Sequence, residues 1–265
     1  MYGDTNSTLA AALSAVKLHY PIAHLEAGLR SFNRAMPEEI NRVLTDHAAD
    51  LLLAPTDVAA GHLKREGLAD RTVVVGDVMT DVLAGELAAI EGAPSPITTT
   101  FGFANGDYIL ATIHRAENTD SPNRLVSIIT ALQSLNHPTV LLAHPRLVAK
   151  ARDYGIDLEG GSLRVHESLP YPMLLASARA ARGIVTDSGG LQKEAFLLRV
   201  PCTTVRPETE WVETVELGWN TLVEPDGIAE AVERPRPTQT TATPYGDGHA
   251  ADRVLEALAS HAGRK

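Results

Sequence analysis

The chain has a single cysteine, Cys202, in 265 residues. No internal disulfide can form, and no cysteine-based zinc site can be built. An excess of basic residues is also missing. Lysine and arginine number 23 against 33 aspartates and glutamates, for a formal net charge of −10. That excludes a general nucleic-acid binder, which needs a basic face for the phosphates. No uninterrupted apolar run approaches the ~18 residues of a membrane span. No charged stretch followed by an apolar one opens the chain, so nothing marks it for secretion and a cytoplasmic setting is expected. Internal repeats and coiled-coil heptads are absent as well.

What is present is a globular composition. Hydrophobic residues make up 44 %, enough to bury a core, and 265 residues fit one large domain or two smaller ones. Short apolar runs alternate with helical stretches, as in a parallel sheet covered by helices. The strand-like runs are 21–25, 51–54, 73–76, 108–113, 139–143, 183–186, 201–205 and 221–223. Helices are predicted near 6–18, 38–48, 57–66, 80–90, 122–134, 171–180, 190–198 and 248–261. Runs such as LLLA and VVVG are apolar at consecutive positions, so both faces of the sheet should be covered. Residues 91–106 and 234–245 are rich in Gly, Pro and Thr and read as a boundary and a linker. This divides the chain into a first domain over 1–90, a second over 91–245, and a last helix in 246–265 that can fold back on the first. The opening MYGDTNS reads as the end of a buried strand entering a helix, with the body of that strand not in the sequence. The expectation is a first domain that lacks its opening βα units, leaving an interior strand as an edge.

Several strand ends carry polar residues, and the carboxyl ends of strands are where open α/β sheets bind ligands. Asp4 lies in Gly3-Asp4-Thr5 at a strand-to-helix turn and reads either as a helix N-cap or as a catalytic acid. In HLEAGLRS, His24 and Glu26 are two apart, which puts both on one side of a strand. Glu26 beside the Gly28 turn is a site candidate, or else the surface partner of Arg30. His-x-Glu also occurs in zinc deaminases, but their cysteine pair is missing here. MPEEINRVLTDH starts a helix on Pro37, and Glu38 and Glu39 complement the helix dipole there. As part of a third carboxylate motif in one short block, Glu38 is also a candidate for chemistry. In IHRAEN, His114 and Arg115 emerge where a strand ends, a position suited to a diphosphate or to an ordinary loop histidine.

TDSGGLQKEA is the sharpest local signal. An apolar strand runs into Asp187-Ser188-Gly189-Gly190 and then a helix, whose free N–H groups and dipole suit a phosphate. Glu194 lies about a turn and a half into that helix, within reach of sugar hydroxyls. Neither a Walker loop nor GxGxxG is present, and a Gly-Gly turn with no ligand remains an alternative. Arg206 follows another strand end in RPETEWVET, and PYGDG reads as a turn that caps the last helix through Asp247.

Taken in order, GDTNST, HLEAGLRS, MPEEINRVLTDH, APT, VGDVMTD, IHRAEN, AHPR, TDSGGLQKEA, RPETEWVET and PYGDG resemble the non-hydrolysing UDP-N-acetylglucosamine 2-epimerase family across about residues 1–258. The resemblance implies an α/β fold of two Rossmann-like domains flanking a cleft, similar to the glycosyltransferase-B architecture, with the first domain truncated. Family members begin with several βα units before the GDT motif, including a GTRPE-like segment, and this sequence has none of them. The resemblance further implies that Asp4, Glu26 and Glu38 match three acid/base carboxylates. It matches His114 to a diphosphate-contacting histidine, Ser188, Gly189 and Gly190 to a phosphate-binding turn, and Glu194 to a ribose-binding glutamate. Arg115 and Arg206 join the expected UDP-binding set. The implied reaction interconverts UDP-GlcNAc and UDP-ManNAc by anti elimination of UDP and re-addition. The implied partners are the small-molecule substrate and UDP, with no nucleic acid and no membrane, in a homodimer. Neither a nicotinamide nor a metal is required, so no cofactor is expected.

The residue types suit that chemistry on their own terms. The C2 proton is not next to a carbonyl, so loss of UDP from C1 as a carboxylate takes the proton avoids a free carbanion. The step needs a base, an acid on the other face, and cations on the departing diphosphate. Three other functions fit parts of the pattern. A hydrolysing 2-epimerase would release UDP and ManNAc. A glycosyltransferase would share the nucleotide domain, although the three carboxylate motifs favour the epimerase. An inactive relative would only bind UDP.

Overall fold

The protein is described from a computed structural model, over residues 1–262. Helix α1 (Asn6–Lys17) starts on Thr5, whose Oγ1 accepts the Thr8 N–H at 3.2 Å. Strand β1 (Ala23–Leu25) follows, then α2 (Pro37–Ala48), β2 (Leu51–Ala54), α3 (Asp57–Arg65), β3 (Thr72–Val74) and α4 (Val78–Ala89). Next come α5 (Pro96–Phe101), β4 (Ile109–Thr112), α6 (Ala116–Thr119), α7 (Pro122–Gln133), β5 (Thr139–Ala143), α8 (Pro145–Tyr154), β6 (Leu163–Glu167), α9 (Tyr171–Ala180), β7 (Gly183–Thr186) and α10 (Gly189–Leu197). The chain continues through β8 (Cys202–Thr204), α11 (Val212–Glu216), β9 (Asn220–Leu222), α12 (Ile228–Val232) and α13 (Ala250–Ala262).

Two compact units result. One comprises Met1–Gly85 and the chain from Thr241 onward; the other is Glu86–Thr240. The first unit has a parallel sheet in the order β1-β2-β3. Met1–Gly3 runs beside β1: the Leu25 N–H donates to the Met1 carbonyl at 2.9 Å, and Tyr2 bridges Leu25 in parallel. All four residues of β2 are buried, as the unbroken run LLLA predicts for a strand covered on both faces.

The second unit has a six-stranded parallel sheet in the order β6-β5-β4-β7-β8-β9. Chain order reverses at β4, so the loops after β4 and β7 leave neighbouring strands in opposite directions. A crevice opens at their carboxyl ends, the usual ligand position of such sheets. One face of the sheet packs Ile128, Ile129 and Leu132 of α7; the other packs Ala178 of α9 and Leu191 and Ala195 of α10. Each of these leucines and isoleucines contributes roughly 1.5–3 kcal/mol when fully buried.

Three features depart from the sequence reading. Strand β6 is absent from the predicted runs because it lies at the sheet edge, where its residues are only partly covered and no continuous apolar stretch is needed. The predicted boundary at 91–106 contains α5, held by the Ser95 hydroxyl at its start and left-handed Gly102 at its end. The start of α13 is held differently from the predicted Asp247 cap. Asp81, at the start of α4, accepts the Ala250 and Ala251 N–H groups at 3.1 and 2.8 Å, while Asp247 pairs with Arg253 at 2.7 Å. Helix α13 packs Val254 and Ala257 on Leu51, Leu53 and Val75. Asp81→Ala should therefore destabilise the first unit by about 0.5–2 kcal/mol in thermal unfolding, the usual cost of a lost cap. Asp247→Ala, at an exposed ion pair, should lower the unfolding temperature less than Asp81→Ala does.

Candidate functional site

In the first unit the loop after β1 is built on a buried carboxylate. Asp46 Oδ1 meets His24 Nδ1 at 2.6 Å, and its Oδ2 accepts from the Gly28 N–H at 3.1 Å and pairs with Arg30 at 2.8 Å. Arg30 also forks onto Glu66 through Nε and Nη2, both at 2.8 Å. The predicted Glu26–Arg30 surface pair is thus replaced by a buried network. His24 Nε2 reaches the Gly3 carbonyl at 2.9 Å, tying the Gly3-Asp4 turn to the strand. Gly28 sits at φ +85, and a Cβ there would overlap the Ala59 carbonyl, so only glycine fits.

Glu26 does not continue the strand. It lies just past β1 with φ +71, the left-handed region that costs a non-glycine residue roughly 1–2 kcal/mol. A Cβ placed on Gly3 would stand 3.8 Å from Glu26 Oε2, so this carboxylate faces the turn that carries Asp4. The Tyr2 hydroxyl is pushed well above its usual range, first by burial, then by the charges of Glu26, Asp77 and Asp4. Asp4 is not the cap of α1, since Thr5 takes that role; its Oδ2 instead pairs with Arg42 at 2.7 Å.

The two glutamates that open α2 differ in role. Glu39 is buried and accepts from the Ser31 and Phe32 N–H groups at 2.9 and 3.0 Å and from the Ser31 hydroxyl at 3.0 Å, which closes the loop. Glu38 is half-buried and makes no hydrogen bond or ion pair among the described residues. Its carboxylate is thus available to a ligand, whereas that of Glu39 is committed to the backbone.

In the second unit Asp187, fully buried after β7, collects the loop after β4. It accepts the His114 N–H at 3.1 Å, the Arg115 N–H at 2.9 Å and Asn118 Nδ2 at 3.0 Å, and meets His114 Nδ1 at 3.2 Å. Ser188 caps α10, which leaves the N–H groups of its first turn at the strand end. The side-chain nitrogens of Arg115, Arg206 and Trp211 come together beside this turn. A Cβ on Gly189 would have Arg115 Nη2, Arg206 Nη1 and Trp211 Nε1 within 3.8–3.9 Å. Arg206 is buried and also pairs with Glu210 at 3.1 Å. Two guanidiniums, an indole N–H and a helix N-terminus form a strong anion site.

Beside it lies a cavity of about 280 Å³, lined by His114, His144, Ser168, Tyr171, Ser188, Gly190 and Glu194 among others. The Tyr171 hydroxyl donates to Glu194 Oε1 at 2.9 Å. His114 and His144 rings are 5.6 Å apart. Burial holds the His114 imidazole below its usual pKa; the His144 and Arg115 charges act in the same direction and Asp187 opposes them.

Of the predicted residues, His114, Ser188, Gly190 and Glu194 thus share one cavity, and Arg115, Gly189 and Arg206 share its anion-binding rim. Asp4 and Glu26 lie in the other unit, where both charges act on the Tyr2 hydroxyl and Arg42 joins Asp4 to Glu39 at 2.7 and 3.5 Å. Sequence reasoning did not assign Asp46, Arg42, Asp187, His144, Tyr171 or Trp211. His144 and Asp187 directly follow apolar strands, which was the available signal. Among the described residues no three His, Cys, Asp or Glu side chains are grouped to hold a metal ion, and no helix is long and apolar enough to cross a membrane.

The sequence model of a family described as UDP-N-acetylglucosamine 2-epimerase matches residues 1–259. A Pseudomonas aeruginosa protein named UDP-2,3-diacetamido-2,3-dideoxy-D-glucuronate 2-epimerase is 47 % identical over 270 residues, covering 98 % of this chain and 73 % of its own length. The crystal structure of the Methanocaldococcus jannaschii UDP-GlcNAc 2-epimerase in complex with UDP-GlcNAc and UDP superposes with a TM-score of 0.88 at 37 % identity, over 98 % of this chain and 74 % of that one. The Neisseria meningitidis enzyme bound to UDP-GlcNAc gives 0.83 at 28 % identity, over 98 % and 75 %. The chain belongs to the UDP-N-acetylglucosamine 2-epimerase family.

The strain at Glu26 is separable from its carboxylate. Glu26→Gly removes the left-handed penalty of about 1–2 kcal/mol that Glu26→Gln retains. The glycine variant should therefore unfold at the higher temperature of the two in a calorimetric comparison.

Proposed function

We propose that the chain epimerises C2 of a UDP-linked 2-acetamido sugar, interconverting UDP-N-acetylglucosamine and UDP-N-acetylmannosamine. The observation that carries this reading is the gathering of Arg115, Arg206 and Trp211 at the Gly189 turn. It is a site for a diphosphate that must leave and return. The adjoining cavity, with Glu194 and Tyr171 on its wall, takes the nucleoside, and Glu194 is suited to the ribose hydroxyls. A carboxylate of the set Asp4, Glu26 and Glu38 removes the C2 proton as the C1–O bond breaks and UDP departs with the electron pair. The product of this half-reaction is a 2-acetamidoglucal. UDP then re-adds at C1, and a second carboxylate delivers a proton to the opposite face of C2. Asp4 pairs with Arg42, whereas Glu38 makes no ion pair among the described residues, so the two carboxylates differ in surroundings as a base and an acid must. His114, Arg115, Arg206 and the start of α10 stabilise the leaving diphosphate.

A second substrate merits the same test, because the relative at 47 % identity is named for a diacetamido uronate. The C2 chemistry is unchanged; only C3 and C6 differ. A homodimer and a cytoplasmic setting belong to the same reading, the first checked by analytical ultracentrifugation and the second by fractionation.

Incubation with UDP-GlcNAc in D₂O, followed by proton NMR, should show deuterium at C2 and formation of UDP-ManNAc. Free ManNAc would identify the hydrolysing reaction instead, and UDP binding without exchange a binding protein. Faster exchange into the diacetamido uronate would select that substrate. Asp4→Asn, Glu26→Gln and Glu38→Gln should each lower exchange by about 10²–10⁴-fold, the usual value of one acid/base role, with UDP binding nearly unchanged.

Binding of UDP should also take up protons. Burial lowers the His114 imidazole below its usual pKa in the free chain, and a bound diphosphate favours the imidazolium. UDP affinity should therefore strengthen as pH falls through about 6.5, the ordinary imidazole pKa. Calorimetry in buffers of different ionisation enthalpy measures the uptake. A His114→Asn variant with undiminished uptake would remove this histidine from the diphosphate site.

A further inference from the structure

We infer that the second unit has another anion site, at the amino ends of β4, β7 and β8, which takes a phosphate group. It lies at the opposite end of the same sheet from the Gly189 turn. A cavity of about 160 Å³ opens there, lined by Gly106, Gly183 and Pro201 at the strand starts and by Arg182, Arg234 and Arg236. None of its ten lining residues is acidic, in a chain with 33 acidic residues. Three guanidiniums collected in a concavity repel one another unless an anion sits among them.

The three arginines are held to different degrees. Arg234 latches the chain after α12 to the sheet: Nη1 donates to Thr203 Oγ1 at 3.0 Å and the Ala231 carbonyl at 2.8 Å, and Nη2 to the Cys202 and Trp219 carbonyls at 2.5 and 3.2 Å. Its Nε remains buried with no hydrogen-bond partner. Such a donor is costly to leave unmatched. Arg236 donates through Nη2 to the Arg199 carbonyl at 2.6 Å. Arg182 is exposed, and its guanidinium makes no hydrogen bond among the described residues. The acidic group that feels Arg182, Glu233, has its carboxylate turned to Asn136 and His137 at 3.2 and 3.4 Å.

The chemistry fits a tetrahedral oxyanion. Guanidiniums present paired N–H groups that match two phosphate oxygens at once. A second cavity of about 420 Å³ adjoins the first through Gly106 and Arg236 and is walled by Ser95, Thr98, Asn105 and Arg179. It offers hydroxyl and amide groups to the organic part of a phosphate monoester. Free phosphate and a monoester share the chemistry of the first cavity and differ in whether the second is used.

The test is calorimetric titration of the full chain, saturated with UDP to occupy the Gly189 turn, with inorganic phosphate and separately with glycerol 3-phosphate. Saturable phosphate binding is expected, weakened about tenfold or more in Arg182→Ala and further in Arg182→Ala/Arg236→Ala, since each removes a charge-assisted contact. Both arginines are exposed, and unchanged thermal unfolding of the variants verifies the fold. Arg152→Ala, an exposed arginine on α8 that lines neither cavity, should leave phosphate affinity unchanged. Tighter binding of glycerol 3-phosphate assigns the site to esters; equal binding assigns it to free phosphate. Phosphate affinity that is absent, or unaltered in the double variant, overturns the proposal. If UDP itself does not bind, the same variants titrated without UDP still decide it, so failure of the nucleotide reading is distinguishable.

Discussion

A carboxylate can be buried at the end of a parallel strand only if backbone N–H groups and cations come to meet it, because an uncompensated buried charge costs several kcal/mol. Both units of this chain are organised on that constraint. Asp187 has no exposed surface, and the loop after β4 bends so that the His114 and Arg115 N–H groups reach it. Asp46 imposes the same order on the loop after β1, through His24, Gly28 and Arg30. The side chains on these loops then have fixed directions. His114 and Arg115 belong to the anion-binding unit, and Glu26 and Asp4 to the carboxylate unit, because the peptide groups next to them are already engaged.

The charge distribution follows from the same economy of burial. The chain as a whole is acidic, so a site for a diphosphate must concentrate its cations locally. Arg115, Arg206 and the start of α10 do so at the carboxyl ends of β4 and β7. Arg206 is kept buried by Glu210, and Lys193 by its position 4.1 Å over the Trp211 ring, a cation–π contact. In the first unit carboxylates cluster around Tyr2 instead, and Arg42 pairs with one of them, Asp4. Cations thus gather at the strand ends of one unit and carboxylates in the other.

Glu26 shows the cost of such placement. The left-handed backbone at this residue is a penalty that the fold tolerates because neighbouring contacts over-determine it: the Leu25 and Ala27 N–H groups on either side donate to the Met1 and Leu53 carbonyls. A glycine would be the local solution.

Much of the fold could be read in the sequence because burial leaves a local trace. LLLA, TVLLA and GIVT announce strands covered on both faces, and Ser121-Pro122 and Ser188-Gly189 announce helix starts through their caps. The ordered motifs identified the family and selected His114, Ser188 and Glu194. The edge strand β6 left no such trace, since exposure relieves it of an apolar pattern. Nor could sequence separate Glu38 from Glu39, because both suit a helix N-terminus; only the Ser31 and Phe32 N–H groups, brought back by the loop, commit Glu39 to structure. Asp81 holding α13, Arg30 choosing Asp46 and Glu66 over Glu26, and the arginines of the 160 Å³ cavity are pairings between residues far apart in the chain. The sequence by itself determined the elements, the order of the motifs and the residue types that can do the chemistry, since each depends on neighbours within a few positions. Which charges meet was decided only by tertiary structure, because Coulomb and hydrogen-bond energies depend on distance in space and carry no periodicity along the chain.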